Sequence, residues 1–382
     1  ACIAEALGIA LPGSASPPAV TADRMRIAEK TGATAVAMIA PKLTPEKILT
    51  PRAIENALRV LLAIGGSTNG LIHLTALAGR LGIAIDFEAF DALSRETPVL
   101  VDLKPTGVGY MEDFHHAGGL TAVLRELRPW LHLDALTVTG RTLGEEIDFH
   151  VIRENQSNPP GAFSVDPGLR IVRSRTQPVF AEGSIAFLRG NLAPGGAIIK
   201  QSAATPALLE HEGRAVVFEN AEDLSRRIDD PALDVAADDV LILKNIGPIG
   251  APGMPEAGYL PIPRKLAQQG VKDMVRISDG RMSGTATGTI VLHVTPEAAI
   301  GGALATARTG DRVRLSVKAR TISLLISDDE MARRLTEDSS RRAATPPAAA
   351  SGRGYRKLFL DHVTQADRGC DFDFLRAAEM TQ

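Results

Sequence analysis

The chain has 382 residues, 45% hydrophobic and 23% charged, long enough for two or three domains with buried cores. Its net charge of −3 argues against broad capture of nucleic acid or of an anionic membrane surface. No apolar run reaches the roughly 18–20 residues needed to span a bilayer, so a cytoplasmic protein is expected, without nucleic acid or membrane as partner.

Cys2 and Cys370 are the only cysteines, too few for a disulfide framework and without the spacing of a zinc or cluster site. Residues 1–12 read as the end of a helix closed by Leu11-Pro12-Gly13. Because Ala1 and Cys2 already lie inside that pattern, without Met or a leader, an excised or truncated start is expected. An amphipathic helix follows at about 21–40, with Asp23 in its first turn and Met25, Ile27, Ala28 and Ala35 along it. Thr50-Pro51 starts another, with Ile54, Leu58, Leu61 and Leu62 at helical spacing. It runs into Gly65-Gly66-Ser67-Thr68-Asn69-Gly70, after which helical patterning resumes. Such a turn offers backbone N–H groups and the side chains of Ser67, Thr68 and Asn69 to a ligand at a helix N-terminus. It equally suits a capped helix break. His73 reads as an ordinary helix residue.

Pro98–Leu103 looks like a buried strand leading to a loop that carries Glu112, Asp113, His115 and His116. Adjacent histidines point in different directions on a helix, so they make no two-histidine metal clamp. A substrate-side role for His115 and a solvated helix start both remain open. The helix from Leu120 to Leu131 follows, with Trp130 expected in the core, then a short strand at Ala135–Thr139. Residues 153–178, rich in Asn, Ser, Pro, Gly and Arg, read as a linker.

Beyond it the period shortens to β-runs at 195–200, 213–218, 239–244, 271–277, 289–294 and 311–326, with helices at 221–228 and 262–269. This predicts a β-rich, barrel-like domain rather than a second parallel α/β sheet. Within it the Gly/Pro loop Asn245–Gly258 has Glu256 as its only charge, a carboxylate suited to a hard cation such as Mg²⁺, or else simply a rigid surface loop. The stretch SDGRMSGTATGT, Ser278–Thr289, connects two probable strands. It places Ser283 beside Gly284, with Arg281, Asp279 and Thr285 near. A hydroxyl at a Gly-flanked turn can be approached closely by a ligand, and a nearby cation lowers its pKa. An ordinary polar turn is the alternative. Residues 339–354 read as a second linker or flexible loop, and the end of the chain returns to helical patterning. The expected division is therefore 1–152, an α/β part; 153–178, a linker; 179–338, the barrel; and 339–382, a loop and helical tail.

Several of these stretches together resemble one family. ACIAEALGIALPGSA at 1–15, GGSTNGLIHLTALAGRLGI at 65–83, GYMEDFHHAGGLTAVLREL at 109–127, LTVTGRTLGE at 136–145, GSIAFLRGNLAPGGAIIKQSA at 183–203, GPIGAPGMPE at 247–256 and SDGRMSGTATGT at 278–289 resemble the dihydroxy-acid dehydratase/phosphogluconate dehydratase family (IlvD/Edd), in that family's order. The resemblance implies an N-terminal αβα domain, incomplete here, followed by a β-barrel swivel domain of aconitase type. It implies a hydro-lyase that converts a 2,3-dihydroxy carboxylate into a 2-keto-3-deoxy acid with an iron–sulfur cluster and Mg²⁺. Carried over by position, Ser283 is the alkoxide base at C2, Thr285 its helper and Glu256 a Mg²⁺ ligand. Ser67, Thr68, Asn69 and His115 are the substrate-side candidates.

MEDFHHAGGL and QADRGCDFDFL look like the sugar-acid branch, which implies an aldonate substrate, expected to be a pentonate, a [2Fe–2S] cluster, and a homodimer or homotetramer. The three cluster cysteines and the carbamylated lysine of the family belong to a region this chain lacks, so the chain alone is expected to be inactive. Two other readings stand beside this one: a dihydroxy-acid dehydratase of branched-chain amino-acid biosynthesis, and an inactive fragment that only binds sugar acid.

Overall fold

The computed structural model describes residues 1–149, 170–344 and 352–378. Two compact units emerge: Ala1–Gly66 with Ala89–Ser184, and Ser67–Glu88 with Ile185–Gln382. Most of the expected linker at 153–178, up to residue 169, lies outside the described residues.

The first unit is built on helices α1 (Cys2–Ala6), α2 (Ala22–Ala37), α3 (Pro45–Ile48) and α4 (Pro51–Ala63). Thr50 caps α4 by accepting from the Ala53 N–H at 3.3 Å, and Pro51 takes the first position, where no N–H is required. Ile54, Leu58, Leu61 and Leu62 are all buried, so α4 is the central helix of this unit. By contrast α2 forms where the periodicity predicts it but buries none of its residues. Helix α5 (Thr68–Arg80) belongs to the second unit, and α6 (Phe87–Glu96) straddles the division. The first unit continues with α7 (Met111–His116) and α8 (Gly119–Leu127).

Three local expectations fail here. Pro98–Leu103 is buried at Val99, Leu100 and Val101 yet makes only isolated bridges, Val99 to Phe180, Val101 to Val172 and Leu103 to Gly109, because no continuous partner strand runs beside it. Ala135–Thr139 likewise contributes one bridge, Leu136 to Thr142. Trp130 is half-buried rather than in the core. Pro129 ends α8 in a 3₁₀ turn, Arg128–Trp130, that swings the indole off the buried stripe of Val123, Leu124 and Leu127.

The second unit is a closed barrel of eight strands in the order β1-β2-β6-β5-β4-β3-β7-β8. The strands are β1 (Ala186–Gly190), β2 (Ala193–Ile199), β3 (Glu210–Phe218), β4 (Val240–Leu243), β5 (Arg276–Ser278), β6 (Ile290–Thr295), β7 (Arg312–Ser316) and β8 (Thr321–Leu324). β1 was not among the predicted runs, and the run at 311–326 is the hairpin β7–β8. In β4 all four residues are buried. Val240 and Ile242 face the barrel interior with Ile199, Val217 and Ile277, while Leu241 and Leu243 face an outer layer with Val216, Phe218, Leu224 and Leu266. This two-sided burial explains its uninterrupted apolar run.

β3, β4, β5 and β6 are mutually parallel, with Leu243 paired to Ser278 at the ends of β4 and β5. Parallel neighbours need crossovers that leave from the same edge. The Asn245–Gly258 loop after β4 and the 279–289 loop after β5 therefore start side by side at one end of the barrel. Finally, residues 339–344, expected in a loop, continue the helix Asp328–Ala344. Asp338 pairs there with Arg341 and Arg342 at helical spacing, which extends the helix through a sequence of low apolar content. Residues 345–351 are outside the described residues.

Candidate functional site

The second unit gathers most of the expected site residues around the end of β5. Asp279, the first residue after that strand, is fully buried and accepts the N–H groups of Asn245 at 3.1 Å, Ile246 at 2.9 Å and Ala298 at 2.9 Å. One carboxylate thus fixes the root of the Asn245–Gly258 loop to the root of the Ser283 loop. Burial pushes its pKa up to about 6, against the opposing pull of those three donors. Arg281 adds a second tie: its Nε donates to the Met254 carbonyl at 2.5 Å, and its own carbonyl accepts from the Gly258 N–H at 2.8 Å.

Ser283 follows, half-buried, with its Oγ 3.1 Å from the Thr285 Oγ1. Gly284 shows why a glycine follows the serine. A Cβ there would lie 2.9 Å from the Ser67 Cβ and 3.1 Å from its Oγ, so the loop passes directly against the start of α5. Ser67 is the N-cap of that helix, its Oγ accepting from the Asn69 N–H at 3.2 Å. Asn69 then reaches across: its Nδ2 donates to Glu256 Oε1 at 2.6 Å and to the Met282 carbonyl at 3.1 Å. The structure so brings together Ser67, Asn69, Glu256, Ser283 and Thr285, residues spread over more than half of the sequence. Thr68 sits beside them, buried, its Oγ1 without a hydrogen-bond partner.

His115 belongs to the first unit, where its Nδ1 lies 3.1 Å from Ser16 Oγ. Its pKa is held below the ordinary histidine value chiefly by burial, with the neighbouring His116 adding to the effect. His73 is exposed on α5.

The donor atoms decide what the site can hold. Asn69 Oδ1 is buried and accepts from no donor, the amide being turned so that its nitrogen meets the Glu256 and Met282 oxygens. Next to it stands the exposed Glu256 carboxylate. Two oxygen donors, one anionic and one neutral, suit a hard cation that keeps waters on its remaining positions, as Mg²⁺ does. Among the described residues no three His, Cys, Asp or Glu side chains converge as a metal site. The cysteines do not fit an iron–sulfur cluster. Only Cys2 and Cys370 are present, and neither joins a group of three metal-ligating side chains among the described residues; burial raises the two thiols to about 11 and about 12. Cys370 donates its proton to Met254 Sδ at 3.4 Å.

Sequence reasoning named the loops but missed what joins them: the bridging roles of Asp279 and Asn69, and Glu297, whose carboxylate accepts from the Ile249 and Gly250 N–H groups at 2.9 Å each. Asp279 lay within the Ser278–Thr289 stretch, and its place right after a strand was the available signal.

Comparison with known proteins follows this geometry. The family model described as dihydroxy-acid/6-phosphogluconate dehydratase N-terminal matches residues 1–146, and the corresponding C-terminal model matches residues 170–370. An L-arabonate dehydratase of Azospirillum brasilense is 51% identical over 100% of this chain and 64% of its own length. A 6-deoxy-6-sulfo-D-gluconate dehydratase of Pseudomonas putida is 46% identical over 99% of the chain and 62% of its own length. A dihydroxy-acid dehydratase of Methanosarcina barkeri is 40% identical over 87% of the chain and 58% of its own length. The chain thus spans somewhat less than two thirds of the length of these relatives.

Proposed function

Because the chain belongs to the dihydroxy-acid/6-phosphogluconate dehydratase family, we propose that the protein is a hydro-lyase that removes water from a sugar acid, with Ser283 as the base. The observation that supports this most is the Asn69 amide, which joins Glu256 to the residue immediately before Ser283. A cation site and a nucleophilic hydroxyl are thereby held in one constellation.

In this reading the C2 proton of a 2,3-dihydroxy carboxylate passes to Ser283 Oγ. The C3–O bond breaks, the C3 hydroxyl leaves with a proton as water, and the C2–C3 enol tautomerises to the 2-keto-3-deoxy acid. The Thr285 hydroxyl, 3.1 Å away, donates to Ser283 Oγ when the latter is deprotonated and so stabilises the basic form. Gly284 keeps the loop thin enough to stay against Ser67, and the ties through Asp279 and Arg281 hold Ser283 in place before substrate arrives. Mg²⁺ held by Glu256 and Asn69 Oδ1 would supply the positive charge that favours an alkoxide at Ser283 and binds the substrate carboxylate. The cysteines here give no basis for a step through an iron–sulfur cluster.

The higher identity to the L-arabonate and sulfogluconate dehydratases than to the dihydroxy-acid dehydratase favours a sugar acid, and we take a pentonate as the substrate class. The test is to incubate the complete protein and Mg²⁺ with L-arabonate, 6-deoxy-6-sulfo-D-gluconate and 2,3-dihydroxy-3-methylbutanoate, and to measure the keto acid released. Release from the pentonate at the highest kcat/KM supports the reading. Turnover of the branched dihydroxy acid alone, or of none of the three, overturns it.

A further inference from the structure

The stretch from 364 to 377 makes contacts that neither the barrel nor the catalytic loops require for themselves. On one side it grips α5. Arg80 donates twice to Asp371, Nε to Oδ2 at 2.6 Å and Nη2 to Oδ1 at 2.8 Å, and Asp371 is nine-tenths buried. The Ala377 N–H donates to the Gly79 carbonyl at 3.1 Å. Gly369, at φ +88°, lies so close that a Cβ would meet the Ala76 backbone nitrogen at 2.4 Å.

On its other side the stretch grips the loop that carries Glu256. Gln365 Nε2 donates to Glu297 Oε1 at 2.7 Å, while its Oε1 accepts from the Glu297 N–H at 3.0 Å. Glu297 in turn holds the Ile249 and Gly250 N–H groups. Cys370 reaches Met254, two residues before Glu256, in a small apolar cluster with Ile72 and Ala366.

These two grips bear on one distance. Asn69 stands in the first turn of α5 and Glu256 near the end of the loop, and the side-chain hydrogen bond that joins them directly is exposed. Glu256 is exposed, and a lone exposed pair is easily displaced by water. Asp279 and Arg281 tie the Glu256 loop to the Ser283 loop, and the 364–377 stretch adds a grip on both that loop and α5.

We propose that Gln365 and Asp371 are positioning residues for divalent-cation binding, clasping α5 to the Glu256 loop so that Asn69 and Glu256 stay within reach of one ion. The proposal rests on the reading of Glu256 and Asn69 as cation ligands given above. Neither Gln365 nor Asp371 touches the ion or the substrate. Outer groups that orient metal ligands carry roughly 10–100-fold in metal affinity, which sets the expected effect.

The experiment is calorimetric titration of the complete enzyme with Mg²⁺, which reads binding without turnover, alongside steady-state kinetics across Mg²⁺ concentration. Gln365→Ala and Asp371→Asn are expected to weaken Mg²⁺ by roughly 10–100-fold, with kcat near the wild-type value once Mg²⁺ saturates. The reversed pair Arg80→Asp with Asp371→Arg is expected to recover affinity relative to Asp371→Arg alone. Lys357→Ala, which breaks an exposed pair with Asp361 elsewhere in the tail, is expected to leave it unchanged. If Glu256→Ala weakens Mg²⁺ while Gln365→Ala and Asp371→Asn do not, the clasp is wrong and the cation reading stands. If Glu256→Ala itself leaves Mg²⁺ binding unchanged, the cation reading falls and takes the clasp with it. Equal weakening in Lys357→Ala also overturns the clasp, since it marks a general loss of structure.

Discussion

Gly284 and His293 show what individual side chains contribute. Gly284 has no room for a Cβ, because Ser67 occupies the space. Gly284→Ala is therefore expected to push Ser283 out of position and lower kcat on the order of 10²-fold, with little change in Tm. A kcat within a few fold of wild type would show that the close approach to Ser67 is not required. His293 sits in β6 at φ 56°, fully buried, with its Nε2 unpaired. Burial, reinforced by Arg281, lowers its pKa from 6.5 to about 3. The folded protein thus holds the neutral ring where the unfolded chain would protonate it. Stability from this group is fully present above about pH 6.5 and is lost as pH falls towards 3. His293→Asn, which also tolerates positive φ, is expected to flatten the decline of the urea midpoint over that window. Parallel curves for the two proteins would contradict it. Ser283, Thr285 and Glu256 stood out in the sequence as hydroxyls and a lone carboxylate in Gly-rich loops, while the roles proposed for them came from the family resemblance. The free acceptor on Asn69 left no such signal, since it depends on which neighbours its amide nitrogen finds in three dimensions.

Elements were legible where they bury a periodic face and illegible where tertiary pairing decides. The period of α4 predicted both the helix and its buried residues. α2 has a much weaker apolar face than α4 and buries nothing, because periodicity reports a capacity to be covered and not the cover itself. Pro98–Leu103 is apolar enough for a strand but lacks a partner running alongside. The consequence for stability is a contrast between elements. Ile242→Ala, inside the barrel on β4, is expected to cost about 2–5 kcal/mol. Met25→Ser on α2, at 71% exposure, is expected to change stability by less than about 0.5 kcal/mol. Urea denaturation of both variants checks this, and a large loss from Met25→Ser would mean that α2 is covered in solution.

For the molecule as a whole, the shift from helical to β periodicity near residue 180 predicted the barrel, which the eight-stranded closure bears out. The grouping of residues 67–88 with that barrel left no trace in local pattern, because it rests on contacts of α5 with residues some 190 to 300 positions away, such as Glu256 and Asp371. Among the described residues no helix is long and apolar enough to cross a membrane. The proposed role of this assembly is to hold Ser283 as a base beside a cation. It is tested most directly by comparing wild type and Ser283→Ala, both as the complete protein, for pentonate turnover and for Mg²⁺ binding. Ser283→Ala is expected to lose kcat on the order of 10²–10⁴-fold with Mg²⁺ affinity unchanged. Turnover by Ser283→Ala within a few fold of wild type would contradict it.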